Sequence, residues 1–130
     1  MNMKSLLPKD KFDIDSVTAL GGLDPNQLKP ILSDLILWIQ DINWPVAKEV
    51  AKVLLKCGSD IVPEIQKVLA SNDTDWQFAC LGWIVKQFPR SIQMELIHDL
   101  SRLAFNPTSD EQLCELDDEA KQILNALGEA

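Results

Sequence analysis

A four-residue pattern, Asp-x-[Asn/Asp]-Trp, occurs twice in this chain, thirty-two residues apart: Asp41-Ile42-Asn43-Trp44 and Asp73-Thr74-Asp75-Trp76. Each copy stands at the mouth of an apolar run. A repeat of this period matches the length of a helical hairpin, a unit that cannot bury its apolar face alone and therefore stacks on its neighbours. Placing residue n over n+32 aligns Leu37 with Leu69, Asp41 with Asp73, Trp44 with Trp76, Ala47 with Ala79 and Val53 with Val85. Ile36 then meets Val68, Asn43 meets Asp75, and Val46 meets Phe78. The unit reads as helix A, a turn carrying Asp, a cap and helix B. In it Asn43 and Asp75 are expected to cap the B helices. Asp41 and Asp73 shape the turns before them, and Trp44 and Trp76 wedge successive helices and should be largely buried. A third B helix is expected near the end, where Ala120, Ile123, Leu124, Leu127 and Gly128 fall in register with Val50, Val53, Leu54, Cys57 and Gly58.

The intervening segments read as follows. Residues 1–12 form an extended arm, with Leu6, Leu7 and Phe12 available to dock it. Asp13 caps a short helix that Gly21-Gly22 ends, glycine accepting a left-handed cap. Asp24-Pro25 opens the next element, and Pro30 either kinks it or starts another. Residues 31–39 carry a wide apolar face at helical spacing. Helix B follows to Cys57, with Gly58 terminating it, and Asp60 caps a shorter helix over 61–70. The helix over 76–88 contains Phe78-Ala79-Cys80-Leu81-Gly82-Trp83-Ile84-Val85, eight residues without a charge, which places it at the centre of the domain. Gly82 costs up to ~1 kcal/mol there relative to Ala, so a neighbouring helix is expected to approach it closely. A helix over 92–105 is broken by Asn106-Pro107-Thr108-Ser109. Residues 106–114 read as an acidic linker before a last helix over 115–127.

Asp41-Ile42-Asn43-Trp44-Pro45-Val46 through Lys56-Cys57-Gly58 resembles a HEAT-like repeat, whose units show Asp-x-Asp/Asn ahead of a Val and a B helix ending in Leu-Gly. The Arg that often follows that Val is Ala47 here and Ala79 in the second copy, so an inter-repeat Asp–Arg ladder is not expected. The whole chain also resembles a mostly bacterial family of small helical proteins defined as a domain of unknown function (family 5071). Leu6-Leu7-Pro8-Lys9-Asp10-Lys11-Phe12-Asp13, Asn43-Trp44-Pro45-Val46-Ala47 and Asn106-Pro107-Thr108 carry that resemblance. It implies a HEAT-like fold and supplies no activity, catalytic residue or cofactor. The expected fold is all-α: a single domain over 1–130, built as a short HEAT-like α-α superhelix of two to three helical hairpins.

Charge separates the body from its C-terminal segment. Of the net charge of -8, residues 106–130 carry -6 and residues 1–105 only -2. Nucleic-acid binding needs a cationic face to displace counterions, and none is visible. Three cysteines at wide spacings, Cys57, Cys80 and Cys114, read as reduced thiols of a cytoplasmic protein. The first ten residues lack the apolar stretch of a signal peptide. No run approaches the ~18–20 apolar residues of a membrane span.

Candidate chemistry is sparse. His98 is the single histidine; it falls on the solvent side of its helix and has no evident partner for general-base work. One His and three scattered Cys do not make a zinc site, and no cofactor is expected. Cys80 reads as inert core, and the negative charge around Cys114 disfavours a nucleophilic thiolate. The acidic cluster Asp110, Glu111, Glu115, Asp117, Asp118 and Glu119 lacks the spacing and turn glycine of a calcium loop. It reads as a solvated linker and helix start, or as a surface for an electropositive protein partner. The leading function is a non-enzymatic protein-interaction module. An immunity-type inhibitor of a basic toxin is the alternative, motivated by the acidic segment as a steering surface; an enzyme with a cleft between hairpins is the third.

Overall fold

The computed structural model describes residues 3–128, and every regular element among them is helical. Met3–Leu6 form one 3-10 turn, so the N-terminal segment is coiled there rather than extended. Pro8 is buried, and the Lys11 carbonyl accepts the Val46 N–H at 3.1 Å, which ties this segment to the first repeat. Met1 and Asn2 lie outside the described residues.

Helix α1 (Ile14–Leu20) begins at Asp13, whose carboxylate accepts the Ser16 N–H at 3.3 Å and the Lys9 N–H at 2.9 Å. Gly21 after α1 has φ -62°, so the expected left-handed cap is absent; a Cβ there would meet the Thr18 carbonyl at 3.2 Å. Asp24 and Gln27 form a reciprocal capping box at α2 (Pro25–Leu28). The path to Ile39 alternates: a 3-10 turn at Lys29–Ile31, α3 (Leu32–Leu35), and a 3-10 turn at Ile36–Ile39. Pro30 sits inside the first of these turns, where its missing N–H costs least.

The turn before α4 (Ala47–Lys56) corrects the sequence reading. Asp41 accepts the Asn43 N–H at 2.9 Å, and the helix begins only after Val46, with no side-chain cap. Asn43 is therefore not the cap. Gly58, at φ +59°, supplies the left-handed residue that ends this helix. After a 3-10 turn at Gly58–Ile61 comes α5 (Val62–Leu69), then a turn in which Asn72 takes φ +59°. In the second copy Asp73, not Asp75, caps α6 (Thr74–Trp83), accepting the Trp76 N–H at 3.3 Å. Asp75 lies exposed in the first turn, where its charge still suits the helix N-terminus. The apolar run past Trp83 leaves the helix at Ile84 and closes in a 3-10 turn at Val85–Gln87. The expected helix over 92–105 is two, α7 (Arg90–Met94) and α8 (Ile97–Phe105). The expected linker contains α9 (Ser109–Leu113), joined by Glu115 at φ +62° to α10 (Leu116–Leu127).

The packing is serial. The Ile36–Ile39 turn packs on α4, α5 on α6, and α8 on α10, while α4, α6 and α10 also meet side by side. Helix α6 touches α4, α5, α10 and the Ile36–Ile39 turn, which is the central position expected of it. The third register holds residue by residue: Val50, Val53, Leu54 and Cys57 are buried, as are Ala120, Ile123, Leu124 and Leu127. Gly58 and Gly128 both adopt positive φ. Gly82 corrects another expectation, because nothing lies within 4 Å of where its Cβ would be. No packing contact accounts for this glycine.

Candidate partner-binding surface

The six acidic candidates separate into two groups. Thr108 opens α9 with a capping box: its Oγ1 accepts the Glu111 N–H at 3.1 Å, and Glu111 Oε1 accepts the Thr108 N–H at 2.8 Å. This turns the Glu111 carboxylate inward, leaving the residue 1% exposed. Arg102 grips it with two bonds, Nη1 to Oε1 at 2.9 Å and Nη2 to Oε2 at 2.8 Å. Gln77 donates to Oε2 at 2.6 Å. The same Arg102 and Gln77 also donate to the Leu69 carbonyl, at 2.9 Å and 2.8 Å. That carbonyl ends α5 and has no partner within the helix. Four elements are thus latched at one point. The Arg102 guanidinium is the main reason the Glu111 carboxyl is held down at about 2, with the Thr108 amide and Gln77 adding to it. Glu111 is consequently withdrawn from any partner surface. Glu119 is part-buried and pairs with Lys86.

Asp110, Glu115, Asp117 and Asp118 remain outward or part-exposed. Glu115, Asp117 and Asp118 line an open cleft of about 490 Å³ with Ser109, Gln112 and Leu113. Leu113 is 83% exposed, the most open of the large apolar side chains among the described residues. Its exposure follows from the helix: at ~100° per residue it points about 200° from Glu111, the buried residue of α9. Sequence reasoning read this segment as a linker and overlooked Leu113. The signal was present, since Thr108-x-x-Glu111 is a capping-box pattern that announces a helix.

The repeat tryptophans are part-buried against the core rather than enclosed. Trp76 donates its indole N–H to the Ile36 carbonyl at 3.0 Å, joining the two repeats. Trp44 meets Trp38 edge to face, with centroids 5.9 Å apart and planes at 62°. Trp38, Trp44, Leu37 and Gln40 border a shallow cleft of about 270 Å³. A second apolar cleft of about 230 Å³ lies between α4 and α6, lined by Lys48, Ala51, Lys52, Leu55, Trp83 and Gln87.

Burial pushes the Cys57 thiol up to about 11, with Asp60 adding to the effect, and pushes the Cys80 thiol higher still. Neither supplies a thiolate near neutral pH. Cys114 and His98 are exposed. Among the described residues no group of three or more His, Cys, Asp or Glu is placed to hold a metal ion, and no helix is long and apolar enough to cross a membrane.

A family profile described as Domain of unknown function (DUF5071) matches residues 6–124. The chain belongs to that family. No curated protein matches it. The match spans both repeat copies, the Arg102–Glu111 latch and most of α10, so this DUF5071 chain carries both groups of acidic residues within the family region.

Proposed function

We propose that this DUF5071 chain is a non-enzymatic protein-interaction module whose partner docks on the α9–α10 surface. The observation that carries the reading is Leu113, 83% exposed beside Glu115, Asp117 and Asp118. An apolar anchor inside a charged rim is the anatomy of an interface hot spot: the anchor supplies affinity and the rim supplies steering and partner choice. The rim is negative, so the partner presents a basic surface around an apolar pocket. The serial packing of helix pairs supports a HEAT-like scaffold, which holds such a surface rigid. An inhibitor of a cationic toxin, acting in the cytoplasm, is the form this reading takes when the partner is itself an enzyme.

The test is site-specific photo-cross-linking in the native host, with a benzoylphenylalanine at position 113 and a control at exposed Ser33. The expected result is a discrete adduct with another protein from position 113 alone, lost when Asp117→Lys and Asp118→Lys are introduced together. Equal labelling from both positions, or an adduct indifferent to the charge reversal, contradicts the proposal.

A further inference from the structure

The cleft between α4 and α6 differs in sign from the α9–α10 surface. Lys48 and Lys52 lie one helical turn apart on the exposed side of α4. Lys48 has no carboxylate within ion-pair distance among the described residues, and Lys52 has only the part-exposed Glu49 at 3.2 Å. Between this cationic edge and Trp83 on α6 run Ala51 and Leu55, which give the cleft an apolar floor. Its volume of about 230 Å³ exceeds the ~150 Å³ of an apolar cavity that takes a benzene ring. The open cleft therefore has room for an apolar side chain, and its two lysines suit one presented from an acidic surface.

This chain itself carries such a surface. Leu113 is a branched aliphatic side chain standing out beside Glu115, Asp117 and Asp118. We propose that the α4–α6 cleft receives Leu113 of a second copy of this chain, with Lys48 and Lys52 facing the copy's Asp117 and Asp118. The two halves of the contact are different patches, so the interface is heterologous and propagates head to tail. One leucine and a few exposed charges place it among small, transient contacts rather than obligate interfaces. The net charge of -8 on each copy opposes association. At physiological salt, however, the Debye length of about 8 Å screens charges spread over the body far more than pairs in contact. The inference shares with the preceding proposal the premise that Leu113 faces outward with Asp117 and Asp118 as its acidic rim. Copies that associate this way occupy the acidic surface and compete with any other partner for it.

The experiment is sedimentation velocity on the purified full chain at physiological salt, up to about 1 mM, where a contact with a dissociation constant of about 1 mM is substantially populated. Three proteins are compared: wild type, Lys48→Glu with Lys52→Glu, and Asp117→Lys with Asp118→Lys. The expected result is a sedimentation coefficient that rises with concentration for wild type and stays at the monomer value for each variant. Mixing the two variants should restore the rise, because the acidic cleft of one then meets the basic rim of the other. A wild type that stays monomeric throughout, variants that associate as wild type does, or a mixture that stays monomeric overturns the inference. A monomeric wild type that still yields a host adduct from position 113 overturns this inference alone and leaves the protein-interaction reading standing.

Discussion

The two copies of Asp-x-[Asn/Asp]-Trp share their leading Asp and their Trp, and the leading Asp does a different job in each. In the second copy Asp73 caps α6 directly and the helix starts at Thr74. In the first, Asp41 closes a local turn on Asn43 and the helix waits until Ala47. The register supplies the cause: Pro45 occupies the place of Gln77. A proline pushes the residue before it, here Trp44, away from the α region, and it has no N–H to make the first helical bond, which Gln77 makes to the Asp73 carbonyl at 2.9 Å. The Gln77 side chain reaches the Leu69 carbonyl and Glu111. The aligned leucines diverge as well: Leu37 is 45% exposed and Leu69 is 1% exposed. A repeat thus specifies where a chain turns and which helices follow. What packs over each copy decides which of its side chains are core.

The largest expected break in this comparison is between those leucines. Leu69→Ala should cost about 3 kcal/mol, the usual range for a buried Leu deletion, whereas Leu37→Ala should stay within about 0.5 kcal/mol; urea denaturation of the two variants measures both. Equal losses would mean that both copies sit in equivalent environments after all. Next in size is the latch found only at the second copy. Glu111→Gln removes the charge that Arg102 grips and should cost about 2 kcal/mol, in the range for hydrogen bonds to charged groups. The pH dependence has a definite sign. The Glu111 carboxyl is lowered from 4.5 to about 2 in the folded chain. Its contribution is fully present above the unfolded value and is lost as pH falls from 4.5 through 2. Wild type should therefore lose stability over that window more steeply than Glu111→Gln, as followed by thermal melts at stepped pH. The smallest contrast is between the aspartates: Asp73→Ala should cost about 1 kcal/mol as a lost cap. Asp41→Ala should cost only a few tenths, because its exposed turn bond has water as a ready substitute.

Much of the helical order was legible because apolar spacing and breakers act locally. The register of Ala120, Ile123, Leu124 and Leu127 on Val50, Val53, Leu54 and Cys57 is matched by burial at every position. Gly58 and Gly128 end their helices for the same conformational reason. The cap of the second copy is not legible to within two residues, since Asp73 and Asp75 both satisfy the composition rule and only the backbone path chooses Asp73. The acidic segment was the least legible. Whether Glu111 is solvated or gripped depends on Arg102 and Gln77, and Gln77 is thirty-four residues away in sequence. No local pattern carries that information, although the capping box at Thr108 did mark the helix that aims it. Leu113 was hidden for the same reason, because its exposure is the other face of the burial of Glu111.

The acidic residues divide into architecture and surface, and one measurement addresses both. The partner captured from position 113 is titrated, by calorimetry, against Glu111→Gln and against Asp117→Lys with Asp118→Lys, with the melting temperature of each recorded alongside. At a temperature where all three proteins are folded, Glu111→Gln should bind as wild type does although it melts lower, while the double reversal should lose binding by tenfold or more, about 1.4 kcal/mol, with only the modest fall in melting temperature that lysines in the first turn of α10 impose. Binding that survives the double reversal, or that disappears with Glu111→Gln at a temperature where the variant is folded, would contradict this division.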